Sequence, residues 1–275
     1  METPLSPFSP LTVCHLPDWR LQPFVEQYIY RKIVVPNGCQ IEKLMPLRSA
    51  SSIDFFIGNS FETTELQTGL TVPFIRCTIR GPRTQILYSI RIEGEFISFT
   101  IKFKATGLYR LLGLPMDLFA DKAIDGEFIE DIPLNGIAGN LLNAPNISYC
   151  IHIVEPYLLF LLEKAKPVPP VIEKLAILLE HHRELYPITQ LANENYLSLR
   201  QLERCFIRYI GINPKTYYRM HRLLQLLQAK NNAPEQKWGS LAHEFGYYDQ
   251  MHLIKEFKEF LKTTPSSFIS SDFAF

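Results

Sequence analysis

The sequence has no surplus of charge of either sign: 28 Lys and Arg stand against 28 Asp and Glu in 275 residues. Net charge therefore nominates neither nucleic acid nor a membrane surface as a partner. Cysteine is scarce, with five residues at Cys14, Cys39, Cys77, Cys150 and Cys205. Their odd number and wide separation exclude a disulfide framework and a zinc knuckle, so reduced, mostly buried thiols are expected. No apolar run is long enough to span a bilayer, and the N-terminus lacks a basic segment followed by an apolar signal core. A cytoplasmic protein without membrane contact is the expectation. Phosphate-loop, dinucleotide, zinc-protease and nucleophile-elbow motifs are all missing. His181 and His182 are adjacent, and neighbouring helical side chains diverge by about 100 degrees, a poor metal clamp. Asp117, Asp121 and Asp125 repeat every four residues near Asp131, which reads as a polar loop or helix face. Neither an enzyme, a metal site nor a cofactor is expected.

What is present falls into two unlike parts. Pro4, Pro7 and Pro10 predict an irregular arm. Strands are expected within residues 21–32, 53–57, 74–80, 85–91 and 95–103. Ile97, Phe99, Ile101 and Phe103 alternate with Ser98, Thr100 and Lys102, placing four apolar side chains on one sheet face. Gly81-Pro82 and Glu93-Gly94 mark turns. Short helices are predicted over 108–112 and 135–142. A buried helix is expected within 147–166, entered at Pro156, because proline is tolerated in a first turn. The stiff run Lys166-Pro167-Val168-Pro169-Pro170 sets a domain boundary. Helices are then expected over 171–182, 188–193, 198–209, 214–228, 238–244 and 249–260. The predicted class is α+β: residues 1–167 form an antiparallel sheet or small β-barrel with helices, and residues 168–275 are all-α.

Local charge is more informative than the total. Residues 1–170 carry 15 basic and 17 acidic side chains, and residues 171–275 carry 13 and 11. Within 188–230 there are seven Lys or Arg against two Glu. That segment also begins an internal repeat. Leu191-Ala192, Ser198, Leu202, Phe206 and Pro214 recur as Leu241-Ala242, Asp249, Leu253, Phe257 and Pro265. The offset is 50 before the turn and 51 after it, so the second turn is one residue longer. Ser198 and Asp249 suit N-caps. Leu202 with Phe206, and Leu253 with Phe257, share a helix face and should bury it, with Ala192 and Ala242 allowing close packing of the preceding helix. The opposite faces stay free, as in a DNA-reading helix-turn-helix. They carry Arg200, Glu203, Arg204 and Ile207 in the first unit, and Met251, Ile254, Lys255 and Lys258 in the second. Spacing alone leaves two readings open, a DNA reader and a helical protein-interaction or dimerisation module.

Ser198 to Phe206 with Gly211-Ile212-Asn213-Pro214, then Leu241-Ala242-His243-Glu244-Phe245-Gly246-Tyr247-Tyr248-Asp249-Gln250 with Phe257 and Thr264-Pro265, resembles the AraC/XylS-family DNA-binding domain. The resemblance covers about 171–268. It implies two helix-turn-helix units, about 188–210 and 238–260, joined by one long helix and entering adjacent major grooves. Arg200, Glu203, Arg204, Gln250, Met251 and Lys255 are the implied base readers. Ser198, Arg208, His252 and Lys258 are the expected phosphate or flanking contacts. Ala192, Leu202, Phe206, Ala242, Leu253 and Phe257 are the helix-turn-helix core. The implied function is sequence-specific regulation of transcription on double-stranded promoter DNA, usually as an activator with RNA polymerase as partner. Tyr196 and Lys262 depart from the family pattern, standing where glycine is common.

The stretch 101–118 loosely resembles a sensor-like domain attached to a subset of such regulators. A small-molecule effector and a homodimer are the partners this implies. Phe55, Phe74, Ile90, Phe99 and Phe103 are the candidate effector-pocket residues, with an ordinary filled core as the alternative. Val154, Leu158, Leu159 and Leu162 are candidates for a dimer surface.

Overall fold

A computed structural model describes residues 11–129, 133–182 and 187–273. The proline-rich arm and Asp131 lie outside these residues. Among the described residues, ten strands precede or flank the first short helices. They are β1 (Leu11–His15), β2 (Val25–Val34), β3 (Ile41–Leu44), β4 (Ser52–Phe56), β5 (Glu62–Glu65), β6 (Thr71–Val72), β7 (Cys77–Arg80), β8 (Tyr88–Ile92), β9 (Glu95–Phe103) and β10 (Ala123–Asp125). They build two antiparallel sheets, ordered β1-β2-β9-β4-β7-β10 and β3-β8-β5-β6.

Strand β9 is the spine of the larger sheet. It pairs with β2 from Val25 opposite Phe103 to Val34 opposite Glu95, with an irregularity between Val25 and Gln27. Its other edge pairs with β4. Phe99, Ile101 and Phe103 are at most 1% exposed and face helices. The polar alternates Ser98 and Thr100 are buried too, because the smaller sheet covers their face. Thr100 donates to the buried Asp54 carboxylate at 2.6 Å. Alternation marked the faces, but a polar face was not a solvent face.

The helices under the larger sheet are α1 (Gly107–Leu112), α2 (Leu134–Leu141) and α3 (Ile147–Leu162). The expectation that α3 starts at Pro156 is overturned. Asn146 caps it, accepting from the Tyr149 amide at 3.0 Å, and Pro156 lies inside the helix. Val154 and Leu158 are 2% and 3% exposed, packed into this chain's own core, so they form no free dimer surface.

Six further helices follow among the described residues: α4 (Pro170–His181), α5 (Ile188–Glu194), α6 (Leu199–Ile210), α7 (Pro214–Asn232), α8 (Trp238–Glu244) and α9 (Gln250–Glu256), the last continuing as a wide turn over Phe257–Leu261. Their core takes in Leu47 and Ile86 from the sheet half. Glu173 on α4 accepts from Thr106 at 2.8 Å and from Arg110 at 2.9 Å. Tyr109 and Tyr209 meet edge to face at 4.7 Å. At the chain's end, Phe273 bridges to Leu44. Among the described residues no helix is long and apolar enough to cross a membrane.

Candidate nucleic-acid interface

Each of the two repeated units begins with a short helix whose alanine is sealed by its neighbour: Ala192 is 0% exposed and Ala242 2%. The carbonyl of Ala192 accepts from Leu197 at 3.0 Å, and that of Ala242 accepts from Tyr247 at 2.8 Å. These bonds close matching turns. Both turns require one left-handed residue, Gly246 at φ 69° in the second unit and Tyr196 at φ 55° in the first. Lys262 is likewise left-handed, at φ 57°. The glycine departures therefore fall where the backbone asks for glycine.

The following helices start on side-chain caps. Ser198 Oγ accepts from the Gln201 amide at 3.2 Å, and Gln201 Oε1 accepts from the Ser198 amide at 2.8 Å. Asp249 Oδ1 accepts from the His252 amide at 2.7 Å. Each cap satisfies N–H groups that a helix start leaves unpaired. Leu202, Phe206, Leu253 and Phe257 are all 0% exposed. The opposite faces of α6 and α9 meet solvent. Arg200, Glu203, Arg204, Ile207 and Arg208 are exposed on α6. Gln250, Met251 and Lys255 are exposed on α9, and Lys258 on its continuation. His252 is half-buried, with its ring 5.3 Å from that of Tyr247. The Tyr109 hydroxyl near Arg208 favours the charged guanidinium.

Helix α7 joins the units through a buried ionic junction. The sequence places Arg219 and Arg222 either near the surface or at a helix junction, and the acid they meet, Glu256, is the part it did not name. Glu256 on α9 is 1% exposed. It accepts from Arg222 and Arg219 at 2.8 Å each and from the Tyr247 hydroxyl at 2.7 Å. Arg222 is also 1% exposed and lies 4.0 Å from the centre of the Tyr247 ring. Burial works against the Arg222 charge, and Glu256 together with Tyr247 and Tyr218 outweighs it. The signal was available: Tyr218, Arg222 and Leu226 share one face of α7, and an arginine inside an apolar stripe needs a buried acceptor.

The first unit also touches the sheet half. Gly211 ends α6 at φ 105°, and a Cβ built there would lie 2.9 Å from the Met116 carbonyl and 3.2 Å from Pro82. Only glycine allows this approach.

The five candidate pocket residues do not share one cavity. Phe55, Phe99 and Phe103 belong to the core between the larger sheet and the helices. Phe74 and Ile90 pack in a separate cluster between the sheets. Phe103 also lines a cleft of about 680 Å³ that reaches Tyr217 and His221 on α7. Among the described residues there is no group of side chains that could hold a metal ion.

Residues 191–271 match the family model described as a helix-turn-helix domain. This segment is an AraC-type helix-turn-helix domain. Carrying it, the chain is a DNA-binding transcription regulator. No curated protein matches the sequence. Among solved structures, the chain is similar to ToxT from Vibrio cholerae with an unsaturated fatty acid bound, at 10% identity and a TM-score of 0.48, covering 87% of this chain and 93% of that one. The AraC-like transcriptional activator CuxR matches at 17% identity and a TM-score of 0.27, covering 80% and 88%. At these scores neither likeness decides a target or an effector for the chain that carries the AraC-type domain.

Proposed function

We propose that the two helix-turn-helix units read adjacent major-groove segments of one promoter duplex. Arg200, Glu203 and Arg204 on α6, with Gln250, Met251 and Lys255 on α9, are the base readers. Arginine suits the guanine edge, glutamine the adenine edge, and methionine a thymine methyl. Ser198, Arg208, His252 and Lys258 flank them toward the phosphates. One observation carries this reading: α6 and α9 bury equivalent residues of the repeat and turn their polar faces to solvent.

On the same reading, residues 168–275 bind DNA and residues 1–167 sense a small-molecule effector and pair with a second copy. The chain acts in the cytoplasm as an activator through RNA polymerase and catalyses no reaction. The family resemblance supports these points, and the contacts between α6 and the sheet half supply a route from sensing to DNA.

The test is selection of duplexes from a random pool by the purified full chain, followed by anisotropy titration. The selected duplex should bind well above its scrambled counterpart. Arg204→Ala and Lys255→Ala should each weaken the selected complex about 5- to 150-fold, which corresponds to roughly 1–3 kcal/mol per base contact, with thermal midpoints retained. Equal, weak binding to both duplexes would sink the reading.

A further inference from the structure

The two sheets face one another across two small adjoining cavities of about 80 and 50 Å³, which share Met45, Phe56, Phe61, Arg80 and Arg83. The wall of the larger is mainly apolar and that of the smaller is mixed, and Arg31, Arg48, Arg80, Arg83 and Lys122 line them against Asp54 and Asp121. Arg80 and Arg83 are each 7% exposed. Unpaired buried charge is costly and is seldom kept without a partner.

The two carboxylates do not meet that demand. Asp54 accepts from Arg48 at 3.2 Å, Ser52 at 2.9 Å and Thr100 at 2.6 Å, and sits 3.5 Å from Arg80 Nε. Asp121 is occupied at the rim by the amide and hydroxyl of Thr84, at 2.6 and 2.7 Å. Arg83 donates to a neutral group, the Pro46 carbonyl, at 3.0 Å. Among the described residues it has no carboxylate within ion-pair distance. Burial and the neighbouring Arg80 and Arg48 guanidiniums push Arg83 down to about 9.

We infer that the space between the sheets is a binding site for a small organic oxyanion, its carboxylate or phosphate held by Arg80 and Arg83 and its apolar body among Phe56, Phe61 and Phe74. Planar guanidinium forks match both headgroups. The aromatic rings give the body its place: Phe61 lies 4.8 Å from Phe56 and 5.1 Å from Phe74, edge to face in both cases. The inference rests on the effector reading of the sheet half and gives it a ligand class.

The test is calorimetric titration of the full chain with benzoate, phenyl phosphate and the neutral isostere benzamide. One or both anions should bind saturably, and the better of the two identifies the headgroup, while benzamide should not bind. Arg83→Met should weaken the anion at least tenfold without lowering the thermal midpoint of the ligand-free chain, since it removes an uncompensated charge. Should Arg83→Met fail to fold, Arg83→Lys keeps the charge and loses the fork, and should still weaken binding several-fold. No saturable anion binding, or unchanged affinity in the folded variant, overturns the site. DNA titrations with each ligand separate the two readings. Anion binding that leaves DNA affinity unchanged keeps the site and removes the sensor. Benzamide changing DNA affinity where neither anion binds removes the oxyanion and keeps the sensor.

Discussion

Arg222 and Glu256 meet at 2.8 Å with 1% of each side chain exposed, joining the linking helix α7 to the second recognition helix α9. Arg219 completes the junction from one helical turn earlier, 2.8 Å from the same carboxylate oxygen. Removing the carboxylate leaves Arg222 buried with no counter-charge among the described residues, while Arg219 keeps Glu259. Glu256→Ala should therefore lose about 3–5 kcal/mol in urea unfolding, the range for breaking a buried pair by deleting one partner. The double variant Arg222→Met with Glu256→Leu should recover most of the loss, because apolar groups of similar volume need no counter-charge. A single-variant loss under 1 kcal/mol would show that the junction does not anchor α9.

Tyr196 offers the opposite sign. It is 98% exposed, so its ring contributes almost no packing, and its backbone is left-handed. A non-glycine residue there costs about 1–2 kcal/mol, and glycine gives back roughly 0.5–1 kcal/mol in chain entropy. Tyr196→Gly should raise stability by up to about 1.5 kcal/mol. A thermal midpoint that falls would mean the ring makes contacts in solution that outweigh the backbone strain.

His221 makes stability depend on pH. Its Nε2 is buried with no hydrogen-bond partner among the described residues. Burial, then the positive field of Lys102 and of His181, pushes the imidazole down from 6.5 to about 4. Between these values the unfolded chain takes up a proton that the folded chain refuses. This contribution is complete above pH 6.5 and is lost progressively as the pH falls toward 4. From pH 7.5 to 4.5 the wild type should lose roughly 2 kcal/mol more than His221→Gln in urea titrations. Parallel losses in the two proteins would place the acid sensitivity elsewhere.

The repeat was legible because it combines two local signals, capping chemistry and four-residue apolar spacing. Ser198, Asp249, Leu202, Phe206, Leu253 and Phe257 all stand where those signals put them. Strand β9 matched its expected span of 95–103 for the same reason. Short strands such as β3, β5 and β6 were missed, because a few residues with mixed polarity carry no period to read. Pro156 misled by its own rule: the Asn146 cap and the packing of Val154 and Leu158 hold a helix through it.

Local sequence chemistry by itself determined the caps, the turns and which side of each recognition helix is apolar, since these depend on residues within a few positions of one another. Only the tertiary structure decided that Glu256 would sit on Arg222, that Phe74 and Phe99 would fall in different clusters, and that Arg83 would be enclosed with no carboxylate against it among the described residues. Those outcomes depend on which distant segments cover a surface, and covering it with protein instead of water is what changes the cost of a charge.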